Sequence, residues 1–330
     1  MDVRSFAARL GDRTRSALAR RFGVDPRALA ALRISLGLLL LADLALRSRD
    51  LVAFYTDSGV LPRSLLREEF GGIAALSIHA HVGSPRAVGL LFLVSAAFAV
   101  ALLVGYRTRL ATVVSFVLVV SLHARNPVLL NGGDSMLRRL LLWGAFLPLG
   151  RRWSVDALRR ARAGAQGDRN RTTGASRRIA TVASAALLAQ VVLVYATNAV
   201  YKLRGELWLN GDAILYVFGL DQLTVRLGGV LANYPALLRA FDRVWLGLVV
   251  SSVGLLLLTG WARAAFAALF VGMHLGMALT MRLGVFPLLS IAGLIPFLPP
   301  VFWNAASARV REPRLGTRLG DWREGTGPLA

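Results

Sequence analysis

The sequence predicts an all-α integral membrane protein: a polytopic helical bundle of about eight transmembrane helices, with interfacial helices on the outer face. Three observations carry that prediction. Of 330 residues, 55% are hydrophobic and 17% charged, where a soluble domain carries about 25% charged residues. Mean hydropathy is +0.57, and the apolar residues form long runs; a hydrocarbon core of ~30 Å takes ~20 helical residues. The arginines fall mainly between those runs.

The first 27 residues are polar and basic, with Arg4, Arg9, Arg13, Arg15, Arg20, Arg21 and Arg27. The apolar run behind them is too long for a signal peptide and lacks a cleavage-site pattern, so it reads as a retained first span. Spans are expected at Ala28–Leu46, Ala87–Tyr106, Leu110–His123, Met136–Leu149, Ile179–Tyr201, Val244–Ala262, Ala264–Met281 and Val285–Trp303. The third and fourth are short, and the last carries Pro287, Pro296, Pro299 and Pro300. Between spans, Leu51–Ser58, Leu61–Phe70 and Asp212–Arg239 mix apolar and charged residues and are expected to be interfacial or re-entrant helices, with Trp208, Tyr216 and Tyr234 suited to the headgroup level.

Basic residues in short loops set orientation. With eight spans, the N-terminal arm, Arg107–Arg109, the 151–178 linker, Arg263 and the tail fall on one side. The linker carries nine arginines against Asp156 and Asp168. The expected organisation is a basic cytoplasmic arm (1–27), a first four-helix half (28–149), an Arg-rich cytoplasmic linker (150–178), a second four-helix half (179–303) and a basic cytoplasmic tail (304–330). The protein is then a multi-pass protein of the cell membrane with both termini cytoplasmic.

Several function classes drop out. The chain has no cysteine, which excludes disulfides, thiol catalysis, iron–sulfur clusters and Cys-ligated zinc. A formal charge of +21 would suggest nucleic acid in a soluble chain; placed between apolar runs it reads as anchoring to the anionic surface of the lipid bilayer, with no nucleic-acid partner. No internal repeat supports an inverted-repeat transporter.

Ionisable groups inside spans are the first candidates for function. Arg33 and Asp43 are expected to snorkel from opposite ends of the first span. Asp134 stands four residues before Arg138, the spacing of an ion pair on one helix face. His274 reads as a hydrogen-bonded core histidine, and His79 with His81 is too little for a metal site; none is expected.

Counting gives the sharpest signal. Of 39 basic residues a single one is lysine, Lys202. Arginine cannot serve as a base at ordinary pH, whereas a desolvated lysine can. Lys202 sits where the fifth span meets the outer surface. Its bland role is an interfacial lysine paired with Glu206 at i+4. In a second constellation Asn131, Gly132 and Gly133 make a turn and Asp134 or Ser135 caps the fourth span, and the positive end of that helix suits an oxyanion or ring oxygen.

Three stretches, FYTDSGVLP (54–62), LNGGDSMLRRLLLWGAFLPLGRRWSVD (130–156) and VYKLRGELWLNG (200–211), resemble the vitamin K-dependent gamma-carboxylase and its prokaryotic relatives, the HTTM (horizontally transferred transmembrane) domain proteins. The resemblance runs from about Ala28 to Trp303. It implies a reduced naphthoquinone of the vitamin K or menaquinone type as cofactor, and Lys202, matching the carboxylase lysine taken as base, as the residue that deprotonates it. Dioxygen then adds, the oxygenated species takes a γ-proton from a glutamate, carbon dioxide is fixed there, and the quinone leaves as its epoxide. A water-excluding lipid site suits so strong a base. Asn131, Gly132, Gly133, Asp134, Arg138 and Trp208 are the implied quinone or substrate contacts, and a Glu-containing peptide or protein at the outer face is the implied partner.

The sequence departs from the carboxylase in two places. Asp134 stands where the carboxylase carries a histidine, and the tail Asn304–Ala330 stands where it carries a large substrate-recruiting region. The competing expectation is a non-enzymatic membrane module for export, immunity or partner binding, with Lys202 in a structural role.

Overall fold

A computed structural model describes residues 16–75, 77–164 and 178–311. The arginines of 1–15, those of the linker from Arg169 to Arg177, and Arg314, Arg318 and Arg323 lie outside the described residues. The described chain is helical, with no strand beyond two isolated antiparallel bridges, Val24 with Ile179 and Thr224 with Met281.

Helix α1 (Pro26–Ser48) begins where Asp25 accepts from the Arg27 amide with proline at the first position, the pre-organised start that such caps provide. It buries Leu29, Leu32, Leu36 and Leu40 against α2 (Pro85–Val104). Gly37 makes the close approach possible: a Cβ there would sit 2.7 Å from Leu103 Cα. Helix α2 ends at Gly105, which takes φ 71°, the left-handed turn that glycine adopts without steric cost. Helix α3 (Thr108–Arg125) returns. Asp156 fixes its start, accepting from the Arg107 amide at 3.0 Å, the Thr108 amide at 2.8 Å and the Thr108 hydroxyl at 2.7 Å. Burial pushes the Asp156 carboxyl up, but these bonds outweigh it and hold the group below the usual carboxylate range.

Helix α4 (Gly132–Ala145) opens on a reciprocal cap: Asn131 accepts from the Gly133 amide, and Asp134 accepts from the Asn131 amide, both at 2.7 Å. Helix α5 (Val182–Leu203) opens on the matching Thr181–Ser184 box. Helices α6 (Pro235–Val250), α7 (Gly260–Thr280) and α8 (Phe286–Leu294) follow. A single apolar core joins Leu32 and Leu36 of α1, Leu140 of α4, Val191 of α5, Phe270 of α7 and Leu289 of α8.

Five helices, α1, α2, α3, α5 and α7, have the length and apolar character to cross a membrane. The expected eight differ in three places. The fourth expected span is the 14-residue α4, which stops before Pro148. The sixth was read as continuous across 244–262, but α6 ends at Val250 and the chain turns at Ser251–Val253 before Gly254–Leu257. The eighth is a pair bent by 99°, Phe286–Phe297 and Pro300–Ala308, because Pro299 and Pro300 cannot continue a helix. The segments between the long helices contain short ones, Leu51–Tyr55, Arg63–Ala74, Glu206–Asn210 and Ala213–Phe218.

Arg33 does not snorkel. It is 0% exposed, with Nη1 donating to the Leu102 and Leu103 carbonyls at 2.8 and 2.5 Å and Nη2 to Trp153 O at 2.5 Å. The carbonyls at the end of α2 need donors, and this guanidinium fork supplies them.

Candidate functional site

A cavity of about 560 Å³ lies among α4, α5, α6, α7 and α8. Helix α5 gives it Tyr195, Asn198 and Lys202, positions i, i+3 and i+7 on one helix face. Lys202 is 9% exposed, and its Nζ lies over the Trp208 indole, 2.9 Å from the ring centroid. Asp242 of α6 is the carboxylate whose charge reaches it; Asp242 Oδ2 accepts from the Ile214 amide at 2.9 Å, while Oδ1 is buried without a partner.

The remaining wall is apolar. Met273, Met277 and Met281, on or just after α7, line it with Met136 of α4. Met136, Met273, Met277 and Met281 are thus four of the five methionines in the chain. Thioethers fill irregular space and contact aromatic rings favourably. Trp245, Phe241 and Phe286 complete the aromatic side. His274, 1% exposed, packs edge-on against Trp245 with ring centroids 5.3 Å apart.

Beside the cavity is a buried ionic network. Arg47 Nε donates to Asp43 Oδ2 at 2.8 Å, Nη2 to Asp134 Oδ1 at 2.5 Å, and Nη1 to Tyr55 Oη at 2.9 Å. Arg138 Nη1 lies 2.9 Å from His123 Nδ1. Arginine only donates, so Nδ1 accepts and Nε2 carries the proton; Nε2 faces Asp134 Oδ1 at 3.3 Å. The ligand atoms of Asp43, His123 and Asp134 lie within 4.8 Å of one another, close enough for a cation. The Arg47 guanidinium already supplies positive charge between the two carboxylates.

Two expected ion pairs therefore rearrange. Asp134 pairs with Arg47 from α1, and Arg138 bonds His123. Lys202 and Glu206 form no ion pair among the described residues: α5 ends at Leu203 and Gly205 starts the next helix, so the i, i+4 geometry is lost and Glu206 is exposed.

A model of the HTTM domain matches residues 23–303. The chain belongs to the HTTM domain family. No curated protein and no solved structure matches it. With its long apolar helices, this HTTM protein is a multi-pass membrane protein.

Within the HTTM domain, the residues singled out from the sequence divide into two groups. Lys202, Trp208 and Gly132 share the cavity. Gly133 backs onto its wall, since a Cβ there would lie 3.1 Å from Phe286 Cα. Asn131 caps α4, and Asp134 and Arg138 belong to the His123 network and do not line the cavity. Sequence reasoning missed Tyr195, Asn198, Arg47 and His123. The spacing of Tyr195 and Asn198 before Lys202 was a usable signal, and so was the sparse methionine count.

Proposed function

We propose that this HTTM protein binds a reduced naphthoquinone in the cavity and that Lys202 is the base that deprotonates it. The observation that carries the reading is that the single lysine of the chain lines a largely apolar, aromatic and methionine-rich cavity. A fused aromatic ring with an aliphatic tail suits those walls. When bound, the quinol supplies the electrons that reduce dioxygen.

In this account Lys202 Nζ takes up the ring-hydroxyl proton, and the Trp208 face holds the resulting ammonium. The apolar wall keeps water away from strongly basic species. Gly132 leaves room for the ring at the start of α4, whose amides favour developing negative charge. The Arg47–Asp134–His123 network holds that helix start in position. Oxygenation is coupled to carboxylation of a glutamate by carbon dioxide, on a peptide or protein presented at the outer face. A cell-membrane location with both termini cytoplasmic takes an even number of crossings, such as the six obtained when the bent pair Phe286–Phe297 and Pro300–Ala308 crosses once.

A second reading takes the Lys202–Trp208 contact as structural, in a non-enzymatic module that binds a partner. The two separate cleanly. Purified protein in lipid, given reduced vitamin K or menaquinone under oxygen, forms quinone epoxide on the first reading; Lys202→Ala and Lys202→Arg form none, because arginine keeps the charge but is no base. Absence of epoxide from folded parent protein with both quinols overturns the enzymatic reading.

A further inference from the structure

The cavity has a second polar end. Along α5, the seven residues from Tyr195 to Lys202 correspond to ~10 Å of helix, and both line the cavity. At the Tyr195 level stands His274, its ring centroid 6.0 Å from the tyrosine ring and 6.3 Å from Phe286. His274 Nδ1 lies 2.8 Å from the Phe270 carbonyl. A carbonyl only accepts, so Nδ1 carries the ring proton and Nε2 of the neutral imidazole is a bare acceptor. His274 lines the cavity. A buried acceptor left unpaired is costly, which points to a ligand donor that completes it.

An acceptor of this kind distinguishes the two oxidation states of the ring. A ring hydroxyl donates to His274 Nε2. A ring carbonyl has no proton to donate and meets the histidine lone pair with its own. We propose that His274 selects the oxidation state of the ligand, admitting the dihydroxy ring in preference to the dione, with one hydroxyl at the His274 end and the other at Lys202. This rests on the quinol reading of the cavity and adds to it a specificity-determining residue. It also gives the site a direction: reduced ring enters, and a product without that hydroxyl is held less tightly.

The test is binding, without turnover. Full-length protein in nanodiscs is titrated calorimetrically under argon with 2-methyl-1,4-dihydroxynaphthalene, with its dimethyl ether, and with 2-methyl-1,4-naphthoquinone. The dihydroxy form is expected to bind about tenfold or more tighter than the other two, the worth of a hydrogen bond made against one lost at a buried site. His274→Phe is expected to remove that preference while leaving dione affinity within about twofold, since only the acceptor is deleted. His274→Gln keeps an acceptor at similar volume and should retain part of the preference, so the proposal stays testable if the phenylalanine variant does not fold. Equal binding of dihydroxy form and dione by the parent, or a preference that survives in folded His274→Phe, overturns the role of His274 and leaves the quinone cavity standing. Failure of folded parent protein to bind any of the three overturns the cavity reading itself.

Discussion

Replacing Arg33 by methionine removes a guanidinium that ties α1 to the end of α2 and to the loop behind it. The apolar stem and most of the volume remain, so the change isolates three hydrogen bonds, to Leu102 O, Leu103 O and Trp153 O. Bonds to a charged donor contribute about 1.5–3 kcal/mol each, with partial recovery where water reaches the acceptors. Leu102 and Leu103 lie at the end of α2, and each buried carbonyl left without its donor costs about 1–3 kcal/mol, so the loss is about 3–5 kcal/mol in total. On the scaling of melting temperature with stability for chains of a few hundred residues, that is a fall of roughly 6–15 °C. Arg33→Lys should lose about half as much, because an ammonium cannot present the planar fork to three carbonyls. The assay is thermal unfolding of purified protein in one detergent, followed by tryptophan fluorescence. A shift of less than about 2 °C for Arg33→Met would mean that these bonds are not made or are replaced by water at no cost.

Three further outcomes are expected. Arg47→Met leaves Asp43 and Asp134 buried and unbridged, so expression of folded protein should collapse or stability fall by about 3–5 kcal/mol; adding Asp43→Asn with Asp134→Asn should restore much of it, and no restoration would contradict the network. Asp156→Ala removes the cap of α3, and unfolding measurements should show a loss of about 1–2 kcal/mol, against none if the cap is ornamental. In the turn before the helix Arg63–Ala74, hydrogen bonds from the Arg63 side chain hold the Asp57 carboxyl below the usual carboxylate range. Its contribution is therefore present above that range and is lost as pH falls through it toward the depressed folded value. The melting advantage of parent over Asp57→Asn should shrink to nothing on acidification from neutral pH, and a gap constant with pH would be the contrary finding.

Much of the fold was legible because membrane helices announce themselves by composition. α1, α2, α3, α5 and α7 all overlap expected spans to within a few residues at most ends. The errors come where apolar composition is uninformative about continuity: between Ser251 and Thr259 the residues stay apolar enough to read as one run, yet the backbone turns. Local spacing was equally double-edged. The cap of α4 was expected at Asp134 or Ser135, but the helix starts earlier: Asn131 is the cap and Asp134 reciprocates from the first turn. The Asp134–Arg138 pair also looked local, but Arg47, 87 residues earlier, takes the carboxylate, and no short-range pattern reports that. Gly205 was visible in the sequence and should have argued against Lys202–Glu206. At the cavity, counting rare residues worked once and was not repeated: the reasoning that found Lys202 also applies to the methionines. His274 was rightly read as hydrogen-bonded, but its open nitrogen depends on which carbonyl it bonds, which only the folded chain fixes.

The absence of cysteine gives the central claim its most direct test. Lys202→Cys introduces a single thiol, which 2-bromoethylamine converts to a side chain with a terminal amine of nearly lysine length. The account predicts that Lys202→Cys forms no quinone epoxide, that aminoethylation restores it, and that labelling with neutral iodoacetamide does not. Epoxide formation by unmodified Lys202→Cys at the parental rate, or silence after aminoethylation of folded protein, would contradict an amine base at position 202.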